Sequence, residues 1–206
     1  MSDLRVRARR NLTAVVPLAA ITGVALGVIS KLADQWTGAT GWLTSFLCLW
    51  LLSSLAVGRL AGSVRAAATC TSVLLLSGVL AYYVTYFVTD GSYPAEIAWV
   101  WALLAVVVGP VAGAAADCTR LDSRLGNLSR AAFSGTFLGE GVFVLATAES
   151  PSRWVLIVLD VGLGLLLPAV LSTGRRNRWQ TYALVPIIAS IAFGLFQLSR
   201  LALRIL

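Results

Sequence analysis

Seven apolar runs follow one another along the chain, separated by short polar or charged connections. The runs cover approximately residues 12–32, 42–58, 66–88, 97–116, 129–147, 154–172 and 180–201. A membrane-spanning helix needs roughly 20 mostly apolar residues. The runs are continuous rather than alternating, which excludes the strand pattern of a membrane barrel. The pattern therefore predicts an all-α polytopic membrane protein with seven transmembrane helices in one bundle, a single domain of residues 1–206.

Composition supports a chain that lies almost wholly in the membrane. Of the 206 residues, 58% are hydrophobic and 12% are charged, with a mean hydropathy of +0.85. Soluble domains carry about 25% charged residues. The first run follows several arginines, as a signal peptide does, but it is too long and its exit at residues 31–34 lacks a small-residue cleavage site. We expect it to remain as the first span.

The distribution of basic residues predicts the orientation. With a cytoplasmic N-terminus, all 16 Lys and Arg residues lie at cytoplasmic ends except Lys31, Arg153, Arg200 and Arg204. This asymmetry follows the positive-inside rule and predicts an N-terminus inside and a C-terminus outside. The net charge of +7 is accounted for by anionic lipids of the inner leaflet. No nucleic-acid partner is expected.

Several classes of chemistry are excluded by what the sequence lacks. There is no histidine, which argues against Ser-His-Asp hydrolases and most zinc enzymes. The three cysteines, Cys48, Cys70 and Cys118, are isolated and predict neither a disulfide framework nor a metal site. No phosphate-binding Walker sequence occurs. We therefore expect no metal and no cofactor.

Small residues at four-residue spacing predict close contacts between helices. They are Ala19, Gly23 and Gly27 in the first run, Gly109 and Gly113 in the fourth, and Gly135 and Gly139 in the fifth. Such spacing lets two backbones approach closely in a membrane. No convincing internal repeat accompanies it, as a transporter built from two similar halves would require.

Two of the nine acidic residues lie deep within apolar runs. By helical rise, Glu140 is about 13 Å below Glu149, and Asp160 is about 9 Å below Trp154. The two acids thus reach a similar depth in the outer half of neighbouring antiparallel helices. A carboxyl group at such depth is costly and is by default a functional hypothesis. A structural ion pair with Arg200, or a hydrogen bond to a tyrosine, is the alternative.

Aromatic and polar side chains accompany these acids at helical spacing. Phe137 and Phe143 flank Glu140, while the other predicted substrate-binding residues are Tyr82, Tyr86, Trp101, Phe193 and Gln197. Tryptophan and tyrosine are also enriched at membrane interfaces, so other tryptophans of the chain fit an interfacial belt.

Acid and aromatic rings together suit carbocation chemistry. Burial disfavours the ionised form of a carboxyl group, so Glu140 is expected to hold a proton and to act as a general acid. Aromatic faces stabilise cations, and Asp160 can offset developing positive charge. Such a site can protonate an alkene or an epoxide of an isoprenoid chain, shield the cation from water and then remove a proton.

The chain resembles the bacterial integral membrane terpene cyclases of meroterpenoid and diketopiperazine-terpene pathways. The resemblance lies in its size, its seven apolar runs, its lack of histidine and its intramembrane acids among aromatic residues. The architecture is also similar to that of fungal seven-span cyclases. The resemblance implies two essential acids, which map onto Glu140 and Asp160, and a hydrophobic prenylated substrate. It also implies a multi-pass protein of a bacterial plasma membrane. The "YPAE" stretch is distantly similar to an element of membrane lycopene cyclases, but Ile97 replaces the second acid.

Two other functions remain open at this point. A bundle with an acidic, aromatic pocket also suits a small-molecule transporter or a substrate-binding membrane subunit. In size and in its Ala/Gly-rich first helix, the chain is similar to substrate-binding subunits of vitamin transporters, although those usually have six spans. The third function is a packing subunit without chemistry of its own. The sequence is compatible with a monomer or a homo-oligomer.

Overall fold

The computed structural model describes the backbone of residues 2–35, 47–147, 153–173 and 178–203, and the side chains of 14–35, 49–147, 153–173 and 178–198. Seven α-helices account for most of the described residues: α1 Ser2–Asp34, α2 Leu47–Leu60, α3 Val64–Asp90, α4 Ala95–Cys118, α5 Arg124–Thr147, α6 Trp154–Leu171 and α7 Arg178–Leu203. Each overlaps one of the apolar runs. The prediction of an all-α chain is therefore confirmed.

Five of these helices are long and apolar enough to cross a membrane, namely those at Ala14–Asp34, Val64–Asp90, Ala95–Cys118, Trp154–Leu171 and Arg178–Leu198. They make the chain a multi-pass helical membrane protein. The apolar part of α2 is shorter. The helix α5 is long enough, but its buried polar residues and its glycines make it less apolar than the five.

Contacts group the chain into two compact units, Met1–Cys118 (unit 1) and Thr119–Leu206 (unit 2). The single bundle domain of residues 1–206 stays a prediction. In unit 1, α3 packs against α1, α2 and α4. It begins after Ser63, whose Oγ accepts a hydrogen bond from the backbone N–H of Ala66, and ends at Gly91, whose φ of 74° favours glycine.

Glycines set the close helix contacts of unit 1. A Cβ atom at Gly23 or Gly27 would overlap the carbonyl oxygen of Leu74 or Gly78, respectively. From the first contact to the second, the residue numbers increase along both helices, so α1 and α3 run parallel. On α4, a Cβ atom at Gly109 would lie 2.7 Å from the Cα of Ser72. The predicted close approach through spaced small residues is confirmed here.

In unit 2, α5 packs against both α6 and α7, which make few contacts with each other. Gly135 and Gly139 face α7, because Cβ atoms there would lie 2.7 Å from the Cβ atoms of Ile188 and Ala192. The residue numbers of these pairs increase in the same direction along both helices, so α5 and α7 are parallel. The helix α6 runs antiparallel to α5. The helix α5 is thus the centre of unit 2.

Candidate functional site

Two buried carboxyl groups define the candidate site in unit 2. Glu140 on α5 is 5% exposed, and Asp160 on α6 is fully buried. A Cβ atom added to Gly141 would lie 3.0 Å from the Cβ of Asp160. Because consecutive Cα atoms are about 3.8 Å apart, the Cα of Glu140 is within about 8 Å of the Cβ of Asp160. The predicted proximity is observed, while the catalytic role of both acids stays a prediction.

Two glycines explain why α5 and α6 approach so closely. Gly141 leaves room for Asp160 against the backbone beside Glu140. Gly164 does the same four residues beyond Asp160, where a Cβ atom would lie 2.9 Å from the backbone nitrogen of Leu138 and 3.0 Å from the carbonyl oxygen of Ser134. Glycine has no side chain to separate two helices, so both acids are held at a tightly packed crossing.

Buried apolar residues share the face of α5 that carries Glu140. They are Phe137, three positions before the acid, Val144, four positions after it, and Phe133, seven positions before it, and all three are buried. The ring of Phe137, almost one turn before Glu140, is fully buried. The predicted aromatic neighbour of the acid is therefore observed on the same helix face.

Phe143, three positions after Glu140, also contacts α7. Its ring centroid is 6.4 Å from that of Phe193 and 5.6 Å from that of Phe196. Gln197, half-buried, follows Phe193 by one helical turn on α7. The structure thus brings Phe143 and Phe193 together, with Phe196 as a ring that the sequence analysis did not single out.

Residues 6–203 match the model of a family described as "Family of unknown function (DUF6518)". The chain belongs to this family. Comparison with curated proteins and with solved structures gave no significant match. The family model covers nearly the whole chain and assigns no activity.

The DUF6518 chain also contains a largely buried polar cluster that was not predicted from the sequence. We call it the polar junction: Asn127, Arg130, Ser172, Gln180 and Thr181. Asn127 Nδ2 donates to Gln180 Oε1 at 2.7 Å, and Thr181 Oγ1 donates to Asn127 Oδ1 at 3.4 Å. Arg130, counted from sequence only as a positive charge of a cytoplasmic end, is fully buried and donates to Asn127 Oδ1.

The polar junction ties all three helices of unit 2 together. Arg130 Nη1 donates to the backbone oxygens of Thr119, at 2.7 Å, and Leu121, at 3.0 Å, in the turn before α5. Ser172 Oγ, directly after α6, donates to Thr181 Oγ1 of α7 at 3.5 Å. The available sequence signal was the pair of polar residues Asn127 and Arg130, one turn apart and facing the same side of α5.

Tyr82 and Tyr86 belong to unit 1 and have partners at the end of α1. The hydroxyl of Tyr82 donates to the carboxylate of Asp34. The ammonium of Lys31 lies 3.6 Å from the centroid of the Tyr86 ring and 2.6 Å from Oδ2 of Asp90. These contacts join the ends of α1 and α3 in the DUF6518 chain. Substrate binding by the two tyrosines stays a prediction.

Trp101, also in unit 1, lies on an apolar face of α4. Its side chain is 49% exposed, and Leu104 and Val108, three and seven positions further, are exposed as well. A face of this composition suits contact with lipid acyl chains. The proposed role of Trp101 in substrate binding is untested, and the best-supported site of the DUF6518 chain is the one in unit 2.

Proposed function

We propose that this DUF6518 protein is an integral membrane terpene cyclase that folds a prenyl chain on a hydrophobic acceptor into rings. The observation that carries the proposal is the pair of buried carboxyl groups, Glu140 and Asp160, on packed helices beside the buried ring of Phe137. Buried acids inside a membrane protein are costly and are retained chiefly for function.

In the proposed reaction, Glu140 acts as the proton donor. Its carboxyl proton adds to an alkene carbon of the prenyl chain, so a C–H bond forms, a π bond breaks and a carbocation is left. A second alkene attacks the cation and closes a ring through a new C–C bond. A neighbouring carbon then loses a proton, which returns to Glu140. The product is an isomer of the substrate, and no further reactant is consumed.

The other residues of the site stabilise the cation. The ring faces of Phe137, Phe143 and Phe193 attract positive charge, an effect that strengthens when water is excluded. Asp160 offsets the charge that develops on the substrate. Gln197 lies one turn beyond Phe193 and is proposed to bind the polar end of the acceptor.

Reaction in heavy water provides the test of this proposal. Membranes that contain the protein are incubated with a panel of farnesylated phenols and indoles in H2O and in D2O. We expect a product with the mass of its substrate in H2O and one mass unit more in D2O, because the carboxyl proton exchanges with solvent before it is transferred to carbon. If every member of the panel is returned unchanged, the cyclase proposal is wrong.

The second candidate function is transport or binding of a small molecule. It is favoured by the buried polar residues along α5, from Asn127 and Arg130 to Ser134 and Glu140, since polar side chains within a membrane also mark substrate pathways. Membrane vesicles that accumulate a labelled hydrophobic cation without changing its mass, and lose uptake in Glu140→Gln, would favour this function over the cyclase.

We also propose seven spans with a cytoplasmic N-terminus in a bacterial plasma membrane. The parallel pairs α1/α3 and α5/α7 are compatible with a chain that crosses the bilayer at every helix. Lys31, an exception to the charge asymmetry, is paired with Asp90, so it adds little net charge to the outer side. The burial of the polar residues of α5 makes that helix compatible with a span.

Cysteine labelling tests this topology. In a background with Cys48, Cys70 and Cys118 replaced by Ala, single cysteines are placed at the exposed positions Ser92 and Asp122. We expect a membrane-impermeant maleimide to label Ser92→Cys in intact cells and Asp122→Cys only after the cells are opened. Labelling of Asp122→Cys from outside would overturn the orientation.

A further inference from the structure

Polar and apolar contacts between α5 and α7 differ in how well they define the register of the two helices. The polar contact from Asn127 to Gln180 spans 53 positions in sequence. The apolar pairs Gly139 with Ala192 and Phe143 with Phe196 repeat this offset. One register therefore holds along the described length of the contact.

The apolar part of that contact selects this register only through the size of its side chains. Gly135 and Gly139 are four residues apart, and the residues that face them on α7 are aliphatic and also recur at four-residue spacing: Val185, Ile188, Ala189 and Ala192. A shift of α7 by one turn, about 6 Å, that brings Leu184 opposite Asn127 sets Ala189 and Ala192 against Gly135. It sets Phe193 and Phe196 against Gly139, so every contact at the two glycines is still apolar.

The polar contact has no equivalent after such a shift. One turn further along, Gln180 and Thr181 are replaced by Leu184 and Val185, which have no side-chain hydrogen-bonding group. Asn127 is 3% exposed and uses both ends of its amide, since Nδ2 donates to Gln180 and Oδ1 accepts from Arg130 and Thr181. A slipped register would leave this buried amide without its α7 partners, and the loss is costly in a low-dielectric interior.

We propose that Asn127 is a positioning residue that selects the register of α5 against α7. Single buried asparagines set helix register in coiled coils through the same difference between polar and apolar contacts. The consequence for the site rests on the proposed function. The observed offset places Phe193 level with Glu140, so a one-turn slip would displace that ring from the acid by about 6 Å.

Cross-linking tests the register without reference to any activity. Cysteine pairs are introduced into the chain without its native cysteines, and a short bis-methanethiosulfonate is added to membranes. The pair Phe143→Cys with Phe196→Cys reports the observed register, and Phe143→Cys with Arg200→Cys reports the one-turn slip that brings Leu184 opposite Asn127. With Asn127 present, we expect the first pair to react and the second to give only background.

Asn127→Leu is expected to shift this distribution. The leucine is close to asparagine in size but removes the polar contacts, so we expect the in-register product to fall at least twofold and the slipped product to rise above background. The matched control is Asn127→Asp, which keeps an acceptor for Arg130 and Thr181 and can accept from the amide of Gln180 after that amide turns over. It should restore the pattern seen with Asn127.

Two outcomes would overturn the proposal. The first is an unchanged ratio of the two products in folded Asn127→Leu protein. The second is a loss of both products in Asn127→Leu with retention of the monodisperse chain, which means separation of the helices rather than slippage. Because the readout is a cross-link, this test of the register remains valid if the cyclase reaction is absent. If the reaction is found, Asn127→Leu should lower kcat more than it raises KM.

Discussion

Glu140→Gln is expected to lower the rate of product formation by a factor of about 10² to 10⁴, the usual contribution of a positioned general acid. Glutamine has nearly the same shape as a protonated glutamic acid and fits the same buried position. It cannot donate a proton of comparable acidity, so the first bond to the prenyl chain does not form. The measurement is the initial rate of the isomeric product in membranes with equal amounts of protein.

The control for this prediction is the same chemical change at an exposed acid. Glu96 lies in the first turn of α4 and is exposed, so Glu96→Gln should leave the rate within about twofold of the unchanged protein. Asp160→Asn should also reduce the rate, because it removes the charge that offsets the cation. If Glu140→Gln keeps more than half of the rate while Asp160→Asn abolishes it, the proton donor is Asp160 instead.

The helices and the two deep acids could be predicted from sequence because both signals are local. An apolar run of spanning length predicts a helix whatever surrounds it. Helical rise then gives the depth of each acid, and the short connection between α5 and α6 makes the two helices antiparallel neighbours. The contact of Gly141 with Asp160 follows from those facts and from the lack of a side chain at Gly141.

The partners of Tyr82, Tyr86 and Arg130 could not be predicted in the same way. Each contact joins positions far apart in sequence, and the side chain fits more than one interpretation. Tyr86 near a membrane interface fits a belt residue, a substrate-binding ring or, as observed, the face beneath Lys31. Which one applies depends on which helices are neighbours, and one sequence without related sequences does not give helix pairing.

Arg130 shows a second reason for the difference. Positive charges near the ends of spans are interpreted through the positive-inside rule, which treats them as exposed. The guanidinium of Arg130 is instead buried and bonded to two backbone carbonyl groups and to Asn127. The rule gives the side of the membrane, but it does not distinguish a solvated arginine from one that holds a turn in place.

Gly27→Ala is expected to destabilise the folded protein although alanine favours helices. The added Cβ would overlap the carbonyl oxygen of Gly78 and lie 2.9 Å from the backbone nitrogen of Tyr82. Both obstacles are backbone atoms of α3, so relief requires α1 and α3 to move apart. Overpacking of this kind costs about 1–3 kcal/mol, against a gain in helix propensity of about 1 kcal/mol.

The same substitution at an open position should have the opposite effect. A Cβ atom at Gly194 would meet nothing within 4 Å, so Gly194→Ala gains helix propensity without a clash. We expect thermal unfolding in detergent to show a lower Tm for Gly27→Ala and an equal or higher Tm for Gly194→Ala. An unchanged or raised Tm in Gly27→Ala would mean that the α1–α3 contact is looser than the glycine spacing implies. Tight packing would then not be what fixes Lys31 against Tyr86 and Asp90.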